Sequence, residues 1–112
     1  MPSALKPIEL HVLLALADEP AHGYALVQRI ERDSEQRIRP LPGNLYSVIR
    51  RLVAMGFIRE NKRRRGDDPR RRYYELTPTG RKVLLGEARH LEGLVVRLRS
   101  RLLGPSGSKG RG

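Results

Sequence analysis

Between Asn44 and Arg72 the chain carries the kinds of side chain with which proteins read and grip a polyanion. Gly43, Asn44, Ser47, Arg50, Arg51 and Ala54 recur at helical spacing, so they share one face that is small, hydrogen-bonding or positive and holds no carboxylate. That combination suits a helix entering the DNA major groove, where amide and hydroxyl groups meet base edges and a guanidinium fork pairs with guanine. Arg50 is the best candidate for the bidentate guanine contact, with Asn44 and Ser47 for base edges or phosphates. Arg51 lies further round and is expected to meet phosphate. Tyr46 stands at the boundary, either a phosphate donor or a half-buried core residue. Two basic blocks follow, Lys62, Arg63, Arg64 and Arg65, then Arg70, Arg71 and Arg72, separated by the turn-forming Gly66-Asp67-Asp68-Pro69. A charge run is usually a solvated face. On two paired strands, however, alternate side chains reinforce one another, so these residues are expected to touch phosphate or the minor groove.

Other chemistry has little support. With no cysteine, disulfides and thiolate metal sites are excluded. His11, His22 and His90 are scattered without a second ligand at useful spacing, so no metal is expected, and His22 reads as a helix-start residue. No serine-histidine-carboxylate order, paired carboxylate or phosphate-cradling glycine loop stands out. The chain is not expected to be an enzyme or to need a cofactor.

Charge agrees with the polyanion reading. The 112 residues hold 23 basic and 12 acidic side chains, a net charge of +11. Residues 1–36 carry 3 basic and 6 acidic groups, residues 37–72 carry 12 and 3, and residues 73–112 carry 8 and 3. The field is therefore concentrated in the middle third, as a surface that displaces counterions from phosphates requires. No run reaches the roughly 18 apolar residues of a membrane span, and the N-terminus lacks the pattern of a signal peptide. A cytoplasmic site is expected.

The positioning elements follow from periodicity. Leu45, Val48, Ile49, Leu52 and Val53 give the reading helix a buried face, Pro42 or Gly43 suits its first turn, and Gly56 ends it. A first helix over Pro7 to Ala17 is apolar on most sides and is expected to pack both in its own domain and on something beyond it. A second runs from His22-Gly23-Tyr24 to about Asp33, with Tyr24, Leu26, Val27 and Ile30 inward and close backbone packing at Gly23. Arg37-Ile38-Arg39 alternates as a short strand that would pair with the hairpin. Thr77-Pro78 starts a last helix by hydroxyl cap and N1 proline. In it Leu84, Ala88, Leu91, Val95, Leu98 and Leu102 are spaced 4, 3, 4, 3, 4, a coiled-coil seam with Gly86 and Gly93 facing away. Roughly 25 residues at about 1.5 Å each give a rod longer than a small body needs, which calls for a partner. The expected fold is mainly α with a small antiparallel β wing. Residues 1–76 form a winged helix-turn-helix, 77–104 a C-terminal dimerisation helix and 105–112 a disordered tail.

His22-Gly23-Tyr24, Gly43-Asn44-Leu45-Tyr46, Leu52 to Ile58 and Tyr73 to Gly80 together resemble the PadR-like family of bacterial transcriptional regulators. The resemblance implies a homodimer held by the last and often the first helix, each third helix lying in a major groove of a pseudo-palindromic operator. Many members repress transcription, and some are released by a small aromatic ligand. The family's functional positions fall here on Asn44, Tyr46, Ser47 and Arg50 and on the basic residues of the wing. Two departures stand out: a second C-terminal helix is missing, and with no tryptophan and one phenylalanine the stacking platform some relatives use for planar drugs is absent. A sequence-specific dimeric repressor on double-stranded DNA is thus the expected function. Its small-molecule effector, if it has one, would lie in the cleft between first and last helices of the dimer. Competing readings are a non-specific nucleic-acid or ribosome-associated basic protein, and a module that docks an acidic protein.

Overall fold

The structure, a computed structural model, describes residues 5–62 and 71–104. Arg63, Arg64, Arg65 and Arg70, the turn between them and the tail after Gly104 lie outside the described residues. The elements are α1 (Pro7–Ala15), β1 (Ala21–His22), α2 (Gly23–Asp33), α3 (Pro42–Ala54), β2 (Ile58–Glu60), β3 (Tyr73–Leu76) and α4 (Pro78–Leu103). A three-stranded antiparallel sheet in the order β1-β3-β2 closes one side of the three-helix body. The fold is the expected mainly helical one with a small antiparallel wing.

One core holds the body together. Val12, Leu13 and Leu16 meet Leu26 and Ile30 from α2, Leu45, Ile49 and Leu52 from α3, and Ile58 from the sheet, all nearly inaccessible to water. Each such side chain contributes about 1.5–3 kcal/mol by burial. Val53, expected inward, is 42% exposed, because the core needs only the stripe Leu45, Val48, Ile49 and Leu52. Glu9, on the otherwise largely apolar α1, is buried. It accepts the Lys6 backbone N–H at 2.8 Å, capping α1, and pairs with Arg51 Nε at 3.2 Å.

The third strand is not where alternation placed it. Residues 37–39 form no strand, because Ser34 closes a local loop around them: its hydroxyl accepts the Ile38 N–H at 3.0 Å and donates to the Ile38 carbonyl at 3.4 Å. Both groups that a ladder would need are thereby used. Glu35 and Gln36 take φ of 55° and 69° to make the bend. The partner of β3 is β1, with Ala21 opposite Tyr74 and His22 opposite Tyr73. Tyr24, expected inward, is 66% exposed, since α2 buries Leu26 and Ile30 one turn apart.

Around Gly56 to Gly80 the reading helix, sheet and last helix are joined with little slack. Gly56 takes φ 81° after α3, as expected of its stop. Thr77 accepts the Gly80 N–H at 2.9 Å, as an N-cap should, and donates its hydroxyl to the Gly56 carbonyl at 2.6 Å. Its own N–H reaches the Phe57 carbonyl at 3.0 Å. Gly80 is buried against that same carbonyl, so α4 leaves the body in one fixed direction.

Candidate nucleic-acid interface

The exposed face of α3 is the one expected. Gly43, Asn44, Tyr46, Ser47, Arg50 and Ala54 are all exposed, and Ser47 Oγ donates to the Gly43 carbonyl at 3.4 Å while keeping acceptor capacity outward. Arg50 has no ion-pair partner among the described residues. Arg51 differs: its guanidinium is tied back to Glu9 of α1, so its first role is within the domain. Tyr46 is 49% exposed, and its hydroxyl comes within 3.5 Å of the place a Cβ on Gly23 would occupy. That is an ordinary van der Waals contact with a side chain, not the close backbone packing expected at Gly23.

The wing is built differently from expectation. Among the described residues its basic groups lie beyond the ends of the strands: Lys62 follows β2, and Arg71 and Arg72 precede β3. Asn61 N–H still reaches the Tyr73 carbonyl at 2.7 Å, which extends the ladder by one rung. On the strands themselves Arg59 pairs with Glu75 at 2.6 Å, and Asn61 donates to the same carboxylate at 2.9 Å. Glu75 therefore holds the two strands together near their base.

His22 links the wing to α2. Its Nδ1 accepts the Ala25 N–H at 3.3 Å as the cap of α2, its Nε2 lies 3.2 Å from Arg71 Nη1, and its ring stands edge-on to Tyr73 at 5.1 Å. Burial lowers the imidazole pKa below its ordinary value, and the nearby Arg71 and Arg29 cations lower it further. With Nδ1 accepting from Ala25, the neutral ring carries its one N–H on Nε2, so a second proton would go to Nδ1 and break the cap. Tyr74, beneath them, has its phenol pKa raised by burial, with Glu60 adding to the rise and Arg72 opposing it.

A testable consequence follows from His22. Because the folded pKa is lower than that of the unfolded imidazole, near 6.5, the unfolded chain binds more protons between the two values. Stability is complete above about pH 6.5 and falls as pH drops through the folded value. Thermal melts at pH 7.5 and 5.5 are expected to show a smaller loss for His22→Asn than for the parent, since asparagine caps a helix without titrating. Equal losses would remove His22 from the acid response.

Only the start of α4 is spent on the body. Val83 and Leu84 pack against the core, so Leu84 is partly consumed by its own domain rather than left for a seam. Beyond it, Leu91, Val95, Leu98 and Leu102 are 37%, 43%, 48% and 77% exposed, and Ala88 is exposed too. Leu94, at 37%, and Leu14 of α1, at 44%, add apolar surface that a strict heptad reading overlooked. Among the described residues no helix is long and apolar enough to cross a membrane, and no cluster of three or more His, Asp or Glu is placed to hold a metal ion.

The family model described as the transcriptional regulator PadR-like family matches residues 12–85, from the core of α1 through the wing to the first turns of α4. The chain belongs to the PadR-like family of transcriptional regulators. Among relatives of this PadR-like chain, the transcriptional regulator Rv3488 of Mycobacterium tuberculosis is 37% identical over 105 residues, covering 94% of this chain and 92% of that one. An uncharacterized 37.1 kDa protein in transposon TN4556 of Streptomyces fradiae is 40% identical over 86 residues, 77% of this chain. The PadR-like chain spans 23% of that protein's length. Among solved structures, Bacillus subtilis PadR in complex with operator DNA superposes with a TM-score of 0.62 at 20% identity, over 72% of this chain and 47% of that one. The family is one of regulators rather than enzymes.

Proposed function

We propose that this PadR-like regulator is a homodimeric, sequence-specific DNA-binding repressor of the cytoplasm. Residues 5–76 act as the reading domain and α4 as the dimerisation helix. The observation that carries the reading is the exposed face of α3, where Asn44, Ser47 and Arg50 stand without a carboxylate, beside Arg71 and Arg72 just before β3. Asn44 and Ser47, on the first turns of the helix, are the groups placed to meet base edges. Lys62, Arg71 and Arg72, with Arg63, Arg64, Arg65 and Arg70 between them in the chain, supply backbone contacts. The operator complex of the Bacillus subtilis relative supports a DNA partner. The apolar stripe Leu91, Val95, Leu98 and Leu102, continued by Leu94 and by Leu14 of α1, supports a second copy as the partner of α4. An effector would be sought where α1 and α4 of the two copies meet.

Selection of bound duplexes from a random pool at about 150 mM salt tests the reading. A two-fold consensus is expected. Asn44→Ala and Ser47→Ala should each cost about 1–3 kcal/mol on that consensus and relax preference at the base pairs they face. Recovery of a pool as random as the input would favour the non-specific basic protein instead.

A further inference from the structure

A groove of about 430 Å³ opens between the first turn of α2, the middle of α3 and the start of β3. Arg50 enters it from α3, Arg71 and Arg72 from the wing, Tyr24 from α2 and Tyr46 from α3, over a floor of Ile49 and Tyr74. Among the described residues no carboxylate lines it. Three guanidiniums gathered around one space with no anion among its described lining residues repel one another, and Arg71 is held there by its contact with His22 Nε2 at 3.2 Å. His22 lines the groove beside Arg71.

The two tyrosines complete a donor set. Tyr24 is 66% exposed and takes no part in the core, which is unusual for so large a ring at a helix start. Tyr46 lines the groove, is 49% exposed, and brings its hydroxyl close to Gly23 at the start of α2. Guanidinium forks with phenolic hydroxyls match a phosphate group, which offers several strong acceptors in a small volume. The groove shares Tyr46 and Arg50 with the exposed side of α3 on which Asn44 and Ser47 stand. A duplex lying on that face passes its backbone along the groove.

We propose that Tyr24, Tyr46, Arg50, Arg71 and Arg72 seat one phosphodiester of the operator backbone in this groove, which makes Arg50 a phosphate contact rather than the guanine reader its helix position suggests. The proposal rests on the DNA-binding reading above and adds to it a named backbone seat, including a residue of α2.

The test uses the full chain and its selected operator, with affinity measured against salt. Arg50→Gln is expected to weaken binding to all sequences alike, to lower the log–log salt slope by about 0.9, and to leave base preference unchanged at every position. Tyr24→Phe, which removes one exposed hydroxyl and leaves the ring, is expected to cost about tenfold or more in affinity, the worth of one hydrogen bond to a charged group. A scan of duplexes carrying one uncharged methylphosphonate at a time should find one linkage per half-site that weakens the parent but adds little to the Tyr24→Phe, Arg50→Gln double variant. The proposal is overturned if Arg50→Gln relaxes preference at a G·C pair with its slope intact. It is also overturned if no linkage shows coupling while inorganic phosphate alone raises the melting temperature, since the groove then belongs to a free anion. A parent protein without any sequence preference would take down the functional reading as well, a result distinct from either.

Discussion

A chain in which Leu91 and Leu98 are both replaced by glutamate is expected to fold as a monomer and to lose about a hundredfold or more of its affinity for a two-half-site operator. Both leucines stand in solvent in the single chain, 37% and 48% exposed, so the substitutions leave no cavity and glutamate is well tolerated in a helix. In a dimer they would place like charges in an apolar seam. The affinity lost is the gain from tethering one reading domain to another, typically 10²- to 10⁴-fold. Sedimentation at micromolar protein and titration of full and half operators separate the contributions: half-site affinity should be retained. A variant that binds the full operator as tightly as the parent, or a parent that sediments as a monomer, would end the dimer reading.

The second large effect is on stability. A Cβ added to Gly80 would overlap the Phe57 carbonyl oxygen and come within 2.9 Å of Leu76 Cδ1. The first obstacle is backbone and cannot swing aside. Gly80→Ala is expected to cost about 3 kcal/mol, the upper part of the usual range for overpacking, and to lower Tm by about 12 °C at fixed protein concentration. Gly86 is the matched control in the same helix. It is exposed, and a Cβ there meets nothing within 4 Å, so Gly86→Ala should stabilise by about 0.5–1 kcal/mol through helix propensity. Calorimetry on the pair distinguishes close packing from a general penalty for alanine. Similar melting temperatures for both variants would mean that the α4 start has slack.

The parts of the fold written in local chemistry could be read from the sequence. Thr77-Pro78 and Gly56 declare a cap and a stop by residue type alone, and both behave as such. The stripe Leu45, Val48, Ile49 and Leu52 likewise fixes which side of α3 faces outward, and with it Asn44, Ser47 and Arg50. What could not be read depends on which distant segment wins a competition. Residues 37–39 alternate like a strand, but Ser34 captures the Ile38 backbone first, while the two-residue β1 is too short to carry any alternation. Arg51, expected to meet phosphate, pairs with Glu9, a neighbour that only the fold brings beside it. Tyr24 was assigned inward by periodicity, and only the arrangement of α2, α3 and β3 shows that it borders the groove. Leu84 fits a heptad, yet the body takes it first.

Thr77 has a consequence beyond capping. Since its hydroxyl and amide are bonded to the Gly56 and Phe57 carbonyls just after α3, α3 and the long helix are tied together and turn as one piece. Two such pieces joined along their rods behave like a caliper of set opening. An operator lengthened by a single base pair, about a tenth of a duplex turn, swings one half-site out of phase with a tool that has no joint to follow it. Spacing between half-sites is therefore expected to discriminate among operators as sharply as their letters do.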